Sequence, residues 1–119
     1  MYDFQSLKVY QASKDNALTI FKLSQRIRNY DIWLASQIKR AGFGIALNIA
    51  EGTGRTSYAD KSHFYVMTRG STYECVALIE ILKEINLISN EEYMMLIKKF
   101  DEISKMLFSL IKSTRNRIK

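Results

Sequence analysis

Cys75 and His63 are the only cysteine and the only histidine in a chain of 119 residues. These counts remove an internal disulfide and any cysteine-cluster zinc site, and they leave one imidazole for all acid–base work. A nucleophilic triad would have to use His63, and no nucleophile elbow precedes a helix. Di-iron bundles need carboxylates on four helices and two Glu-x-x-His pairs. Asp60-Lys61-Ser62-His63 approaches that pattern once, with an aspartate. Gly52-Thr53-Gly54-Arg55 is glycine-rich but lacks the preceding strand and the lysine-serine ending of a phosphate-binding loop. Arg55 and His63 have seven residues between them, wider than the arginine–histidine spacing of helical ribonucleases. Cys75 falls on an apolar stripe and reads as a small buried hydrophobe. No catalytic residue, metal ligand, cofactor or small-molecule substrate is therefore expected.

Binding chemistry is better represented. Lysine and arginine total 18 against 12 acidic residues, and the excess is concentrated. Residues 98–119 carry seven basic groups against Asp101 and Glu102, whereas residues 70–97 carry Lys83 against five glutamates. Such a basic end suits a polyanion. It equally suits a solvated helix end whose cations complement the C-terminal dipole. The nucleic-acid-binding candidates are Arg55, Lys61, Arg69, Lys112, Arg115, Arg117 and Lys119. With no aromatic group in the tail itself, phosphate contact without base stacking is expected.

The elements that must position these residues are helices. Proline is absent and glycine occurs five times, too few for turn-rich β architectures. A first helix spans about Leu7 to Leu23, with Leu7, Tyr10, Ala17, Leu18, Ile20 and Phe21 on its apolar side. A second follows the N-cap Asp31 and runs to about Glu51 on the stripe Leu34, Ile38, Ala41, Ile45, Ile49. A third follows Ser57 on the stripe Phe64, Met67, Ser71, Cys75, Leu78, Leu82, Ile85. A fourth follows the capping box Ser89-Asn90-Glu91-Glu92 on the stripe Tyr93, Leu96, Phe100, Ile103, Leu107, Leu110. The short links force neighbours to be antiparallel, so the expected fold is all-α, a single-domain up-down-up-down four-helix bundle over residues 1–119. No stretch approaches a membrane span and no secretory signal opens the chain, which points to a cytoplasmic protein.

Polar rows run beside two of the stripes: Gln37, Ala41, Gly44, Asn48, Glu51 on the second helix and Met67, Gly70, Glu74, Ala77, Ile81 on the third. Gly42, Gly44 and Gly70 suggest close backbone approach, since glycine inside a helix costs up to ~1 kcal/mol. A turn centred between Gly54 and Arg55 puts Arg40 level with Arg69 and Gln37 level with Thr72, so Gln37 and Arg40 can reach Ser71 and Glu74. It also places Asn48 and Glu51 at the turn near Arg55. Two separate clusters follow. In the first, Glu74 flanks the core and takes Arg40 as its charge partner, a structural or interface role.

Gln37-Ile38-Lys39-Arg40-Ala41, Asn48-Ile49-Ala50-Glu51-Gly52-Thr53-Gly54-Arg55 and Gly70-Ser71-Thr72-Tyr73-Glu74 resemble the four-helix bundle family known as 23S rRNA-intervening sequence proteins. The opening Asp3-Phe4-Gln5-Ser6-Leu7-Lys8-Val9-Tyr10 resembles that family's start. Gly42-Phe43-Gly44 departs from it, standing where the family usually has small residues and a serine. The resemblance implies a bacterial protein without established enzymatic activity that assembles into a five-fold barrel of bundles. It also implies kinship with accessory proteins of a retroelement reverse transcriptase, which bind that enzyme and nucleic acid through basic residues.

Independently of the resemblance, Tyr58, Tyr65, Val66, Ile79, Met94, Met95, Phe108 and Ile111 lie outside the core stripes. A single bundle would leave many of them wet, so a homo-oligomer is expected. The partners implied are therefore further copies of the chain and RNA, DNA or a nucleoprotein. A purely structural assembly and, least favoured, a helical ribonuclease remain as alternatives.

Overall fold

The computed structural model describes residues 2–118. A short 3-10 helix, Asp3–Ser6, leads into α1 (Lys8–Ile27), α2 (Ile32–Thr53), α3 (Tyr58–Glu84) and α4 (Asn90–Arg115). No strand occurs among the described residues. The four helices form an elongated bundle of 49 × 22 × 21 Å. No helix of the described residues is long and apolar enough to cross a membrane.

Local chemistry explains the helix ends. The Asp31 carboxylate accepts from the Leu34 amide at 2.9 Å and opens α2. The Ser57 hydroxyl accepts from the Asp60 amide at 3.1 Å and opens α3. At α4 the Ser89 hydroxyl accepts from the Glu92 amide while Glu92 accepts from the Ser89 amide, satisfying two orphan donors reciprocally. α3 closes through Asn86, the one non-glycine residue of positive φ (64°) among those described. The Leu87 amide reaches the Leu82 carbonyl and the Asn86 amide the Lys83 carbonyl, the paired bonds of a Schellman cap.

Successive helices are antiparallel. The end of α1 meets the start of α4 through Arg26 and Glu92, 2.7 Å apart. The far end of α4 returns to the start of α3, where Arg115 Nε donates to Ser62 Oγ at 3.2 Å. α1 runs one turn beyond the expected Leu23 and buries Leu23, Ser24 and Ile27 there. Ile38, Ala41, Ile45 and Ile49 of α2 and Leu96, Phe100, Ile103 and Leu107 of α4 form the core as expected.

α3 departs from its expected stripe. Cys75, Leu78 and Leu82 are buried, but in the N-terminal half Tyr65, Thr68 and Thr72 face the core, and Met67 and Ile85 are exposed. Threonine enters the core because each hydroxyl is satisfied within its own helix. Thr68 Oγ1 donates to the Phe64 carbonyl at 2.8 Å and Thr72 Oγ1 to the Thr68 carbonyl at 3.1 Å. Hydrophobicity alone assigns that face to Phe64 and Met67. α1 also places Ser13 and Asn16 inside and Leu18 outside, but there Ser13 Oγ and Asn16 Oδ1 have no hydrogen-bond partner among the described residues. Tyr65, Ile79 and Ile111, expected outside the core, are within it.

Two of the glycines mark close approaches. A Cβ at Gly42 would stand 2.8 Å from Ile20 Cγ2, and one at Gly52 would stand 2.6 Å from Phe64 Cβ. Gly70 marks none, since its Cβ position has no neighbour within 4 Å. A Cβ at Gly44 would meet Ser71 Oγ at an ordinary 3.8 Å. Gly44 with Ser71 and Gly52 with Phe64 centre the α2–α3 hairpin near Ser57, later than expected. Part of the offset follows from side chains leaning toward each helix N-terminus, so that antiparallel contacts join residues of higher number on both helices.

Candidate nucleic-acid interface

α2 and α3 are fastened at the hairpin by a short polar chain. Thr53 Oγ1 bonds to the Ile49 carbonyl at 2.8 Å, which makes the Tyr65 hydroxyl the donor in its own 2.8 Å bond to Thr53 Oγ1. Burial pushes the Tyr65 phenol above its ordinary range, and the bond to Thr53 opposes this. Lys61 Nζ donates to the Thr53 carbonyl at 2.6 Å. Lys61 thus caps the C-terminus of α2 and complements its dipole.

The other basic candidates of this end lie against aromatic rings. Arg55 is bonded to Glu51 at 3.0 Å, and its guanidinium stands 4.5 Å from the Phe64 ring centroid. Arg69 lies 5.3 Å from the Tyr73 ring and 6.0 Å from the Phe108 ring. Arg117 donates to the Tyr58 hydroxyl at 3.3 Å, its guanidinium 5.6 Å from that ring. Lys112 is exposed beside Arg117 and Asn116 in a shallow depression on α4. Lys119 lies outside the described residues. The tail carries no aromatic residue of its own, but α3 and the preceding turns of α4 place Tyr58, Tyr73 and Phe108 beside basic residues. Sequence reasoning missed these rings because they are separated from the tail along the chain and reach it only through antiparallel packing. A guanidinium held beside a ring keeps for phosphate only the exposed donors that its present hydrogen bonds do not use.

Of the two expected polar clusters, the structure brings together Gln37, Arg40 and Glu74. Arg40 Nη2 lies 2.7 Å from Glu74 Oε2 and 2.9 Å from Gln37 Oε1. Among the described residues no hydrogen bond joins Ser71 to them, and Glu74 is exposed rather than buried, its side chain 43% accessible. An open ion pair of this kind contributes about 0.2–1 kcal/mol. It also bears on Cys75: burial pushes that thiol up to about 12, with Glu74 adding to the rise and Arg40 opposing it. At the turn Glu51 meets Arg55, while Asn48 is half-buried and forms no side-chain bond to either. Gly52 is part of the packing, not of a ligand site, since Phe64 and Tyr65 press on it. His63 is exposed at the start of α3 beside Phe64, and no three acidic, histidine or cysteine side chains converge among the described residues.

With fold and geometry in hand, residues 5–109 match the family model of 23S rRNA-intervening sequence proteins. The chain belongs to that family. A similar solved structure comes from Bacteroides thetaiotaomicron VPI-5482, a protein of unknown function from the S23 ribosomal protein family. It is 28% identical, superposes with a TM-score of 0.85, and the match covers 87% of this chain and 98% of that one. No curated protein matches the sequence significantly. The matched region includes the Asn48–Arg55 and Gly70–Glu74 stretches but stops before Lys112, Arg115 and Arg117, so the basic tail lies beyond what the family model matches.

Proposed function

We propose that this member of the 23S rRNA-intervening sequence protein family is a non-enzymatic, homo-oligomeric bundle that binds RNA or DNA, alone or within a nucleoprotein, through the end of the molecule where α4 finishes. The observation that carries this reading is the gathering of Arg55, Arg69, Arg115 and Arg117 at that end, three of them laid over aromatic rings and Arg115 hydrogen-bonded to Ser62. Repeated around a ring of subunits, five by the family resemblance, such weak phosphate contacts would add through avidity. Binding of this kind is sequence-tolerant and weakens steeply with salt through counterion release.

Retention of labelled RNA or DNA by the protein at low salt tests the reading. Arg115→Glu combined with Arg117→Glu should abolish retention while leaving assembly intact. Equal binding by that double variant, or no binding by the unaltered protein, overturns it. The non-enzymatic part is checked by an RNA-cleavage assay, in which loss of cleavage on His63→Ala would show an enzyme instead.

A purely structural assembly is favoured by a separate observation. Trp33, Leu47, Ile81, Met94 and Met95 are each about half exposed or more on the outer faces of their helices. Exposed apolar groups in such number mark surfaces that another protein covers, whether a second copy or an accessory-type partner such as a reverse transcriptase.

A further inference from the structure

The exposed side of α3 and α4 carries an open groove of about 510 Å³. Its walls are Tyr73 and Phe108, 61% and 59% exposed, with Ile111 between them and α4's basic end. Its floor is the helical backbone at Gly70, where no atom lies within 4 Å of the missing Cβ. Arg69 stands within reach of both rings and donates to the Tyr73 hydroxyl at 3.3 Å, and Arg115 closes the end. On the other side of Phe108 a second depression bears Lys112 and Arg117. No acidic side chain lines either one.

Each feature constrains the occupant. Two exposed rings beside a bare backbone accept a flat aromatic group, and a row of cations without a carboxylate accepts an anion. An unpaired nucleotide presents both, and successive nucleotides repeat them along a strand. A duplex hides its base faces and could use only the cations. Resting on the nucleic-acid reading above, we propose that the α3–α4 groove is a stacking site for single-stranded nucleic acid, with unpaired bases against Tyr73 and Phe108 and phosphates along Arg69, Arg115, Lys112 and Arg117.

Anisotropy titrations of the full-length protein with labelled oligouridine and with an RNA duplex of equal charge, at low salt, test the site. Tyr73→Ala and Phe108→Ala should each weaken oligouridine binding by roughly tenfold, and duplex binding should not change. A Cβ at Gly70 meets no atom within 4 Å, and the longer side chain of Gly70→Leu projects from it into the groove. That substitution should weaken oligouridine binding to the same degree, with an unchanged thermal transition showing that the variant is folded. Tyr73→Phe should retain binding. If all three groove variants bind oligouridine like the unaltered protein, the stacking site is overturned, while the basic-surface reading survives provided the Arg115→Glu, Arg117→Glu pair still abolishes retention. Equal losses for strand and duplex also overturn stacking. A change of particle mass in light scattering on Phe108→Ala would show that the occupant is a second copy of this chain. Failure of the unaltered protein to bind either probe overturns both readings together.

Discussion

Cys75 is fully shielded within the bundle, and its thiol is pushed up to about 12 chiefly by that burial. Two consequences follow for the residue. The folded protein should resist alkylation by iodoacetamide at pH 9, and the unfolded chain should react at once. Because the folded value lies above the ordinary thiol value of 9.0, the protonated form is the one the fold favours. Stability is therefore independent of this group below pH 9 and declines as pH rises from there toward 12, a slope that Cys75→Ala should reduce in denaturant titrations across that window. The glycines give a second pair of expectations at this scale. Gly70→Ala adds a methyl group to open space and should stabilise by up to ~1 kcal/mol through helix propensity. Gly52→Ala drives a methyl into Phe64 Cβ, a position that only a shift of α3 can relieve, and should cost about 1–3 kcal/mol. Opposite shifts in Tm for these two substitutions would confirm that Gly52 is pressed against α3 while the Cβ position of Gly70 is open.

The helices are closed by caps whose worth can be read singly. Ser89→Ala removes the side-chain half of the α4 capping box and should lower stability by about 1 kcal/mol in urea titrations. Asn86 occupies a left-handed position, so Asn86→Gly should be neutral or stabilising, and Asn86→Val should destabilise by roughly 1–2 kcal/mol. Glu92 belongs to this scale too, because it joins the α4 cap to α1. Burial raises its carboxyl, but the Ser89 amide, Arg26 and the Ser89 hydroxyl outweigh that, so the net shift is downward. A carboxylate held below its ordinary range contributes stability at neutral pH that is lost as pH falls through the lowered value. Acid titrations of Glu92→Gln should accordingly show a shallower loss of stability than the parent protein.

For the molecule as a whole, positive charge is concentrated toward one end of an elongated body, while exposed apolar groups are spread over all four helices. The end bearing Arg55, Arg69, Arg115 and Arg117 is basic, whereas in the opposite half Glu80, Glu84, Glu91 and Glu92 are offset by Lys22, Arg26, Arg28, Lys39 and Lys83. Such a concentration of positive charge draws polyanions toward one end and falls off over about 8 Å at physiological salt. Light scattering at micromolar concentration should give a particle heavier than one chain, consistent with the exposed apolar groups on all four helices. A particle of single-chain mass would show that those groups remain in water.

What the sequence determined by itself was periodicity and punctuation. The absence of proline, the caps at Asp31, Ser57 and Ser89, and the isoleucine and leucine stripes of α2 and α4 specify four helices and their order, because these are local choices made within one or two turns. The motif stretches around Asn48–Arg55 and Gly70–Glu74 likewise carried the family, and the proximity of Arg40 to Glu74 was legible from hairpin arithmetic. Only the tertiary structure decided the rest. Thr68 and Thr72 displaced Phe64 and Met67 from the core because a threonine hydroxyl can be satisfied by its own helix, a choice hydrophobicity does not record. Lys61 capped α2, and Tyr65 turned inward to Thr53, because the hairpin is centred later than its glycines suggest. Tyr58, Tyr73 and Phe108 became neighbours of basic residues distant along the chain because α3 and α4 run antiparallel. Contact across a bundle depends on register and helix rotation, and those are set by the packing of all four helices together rather than by any one of them.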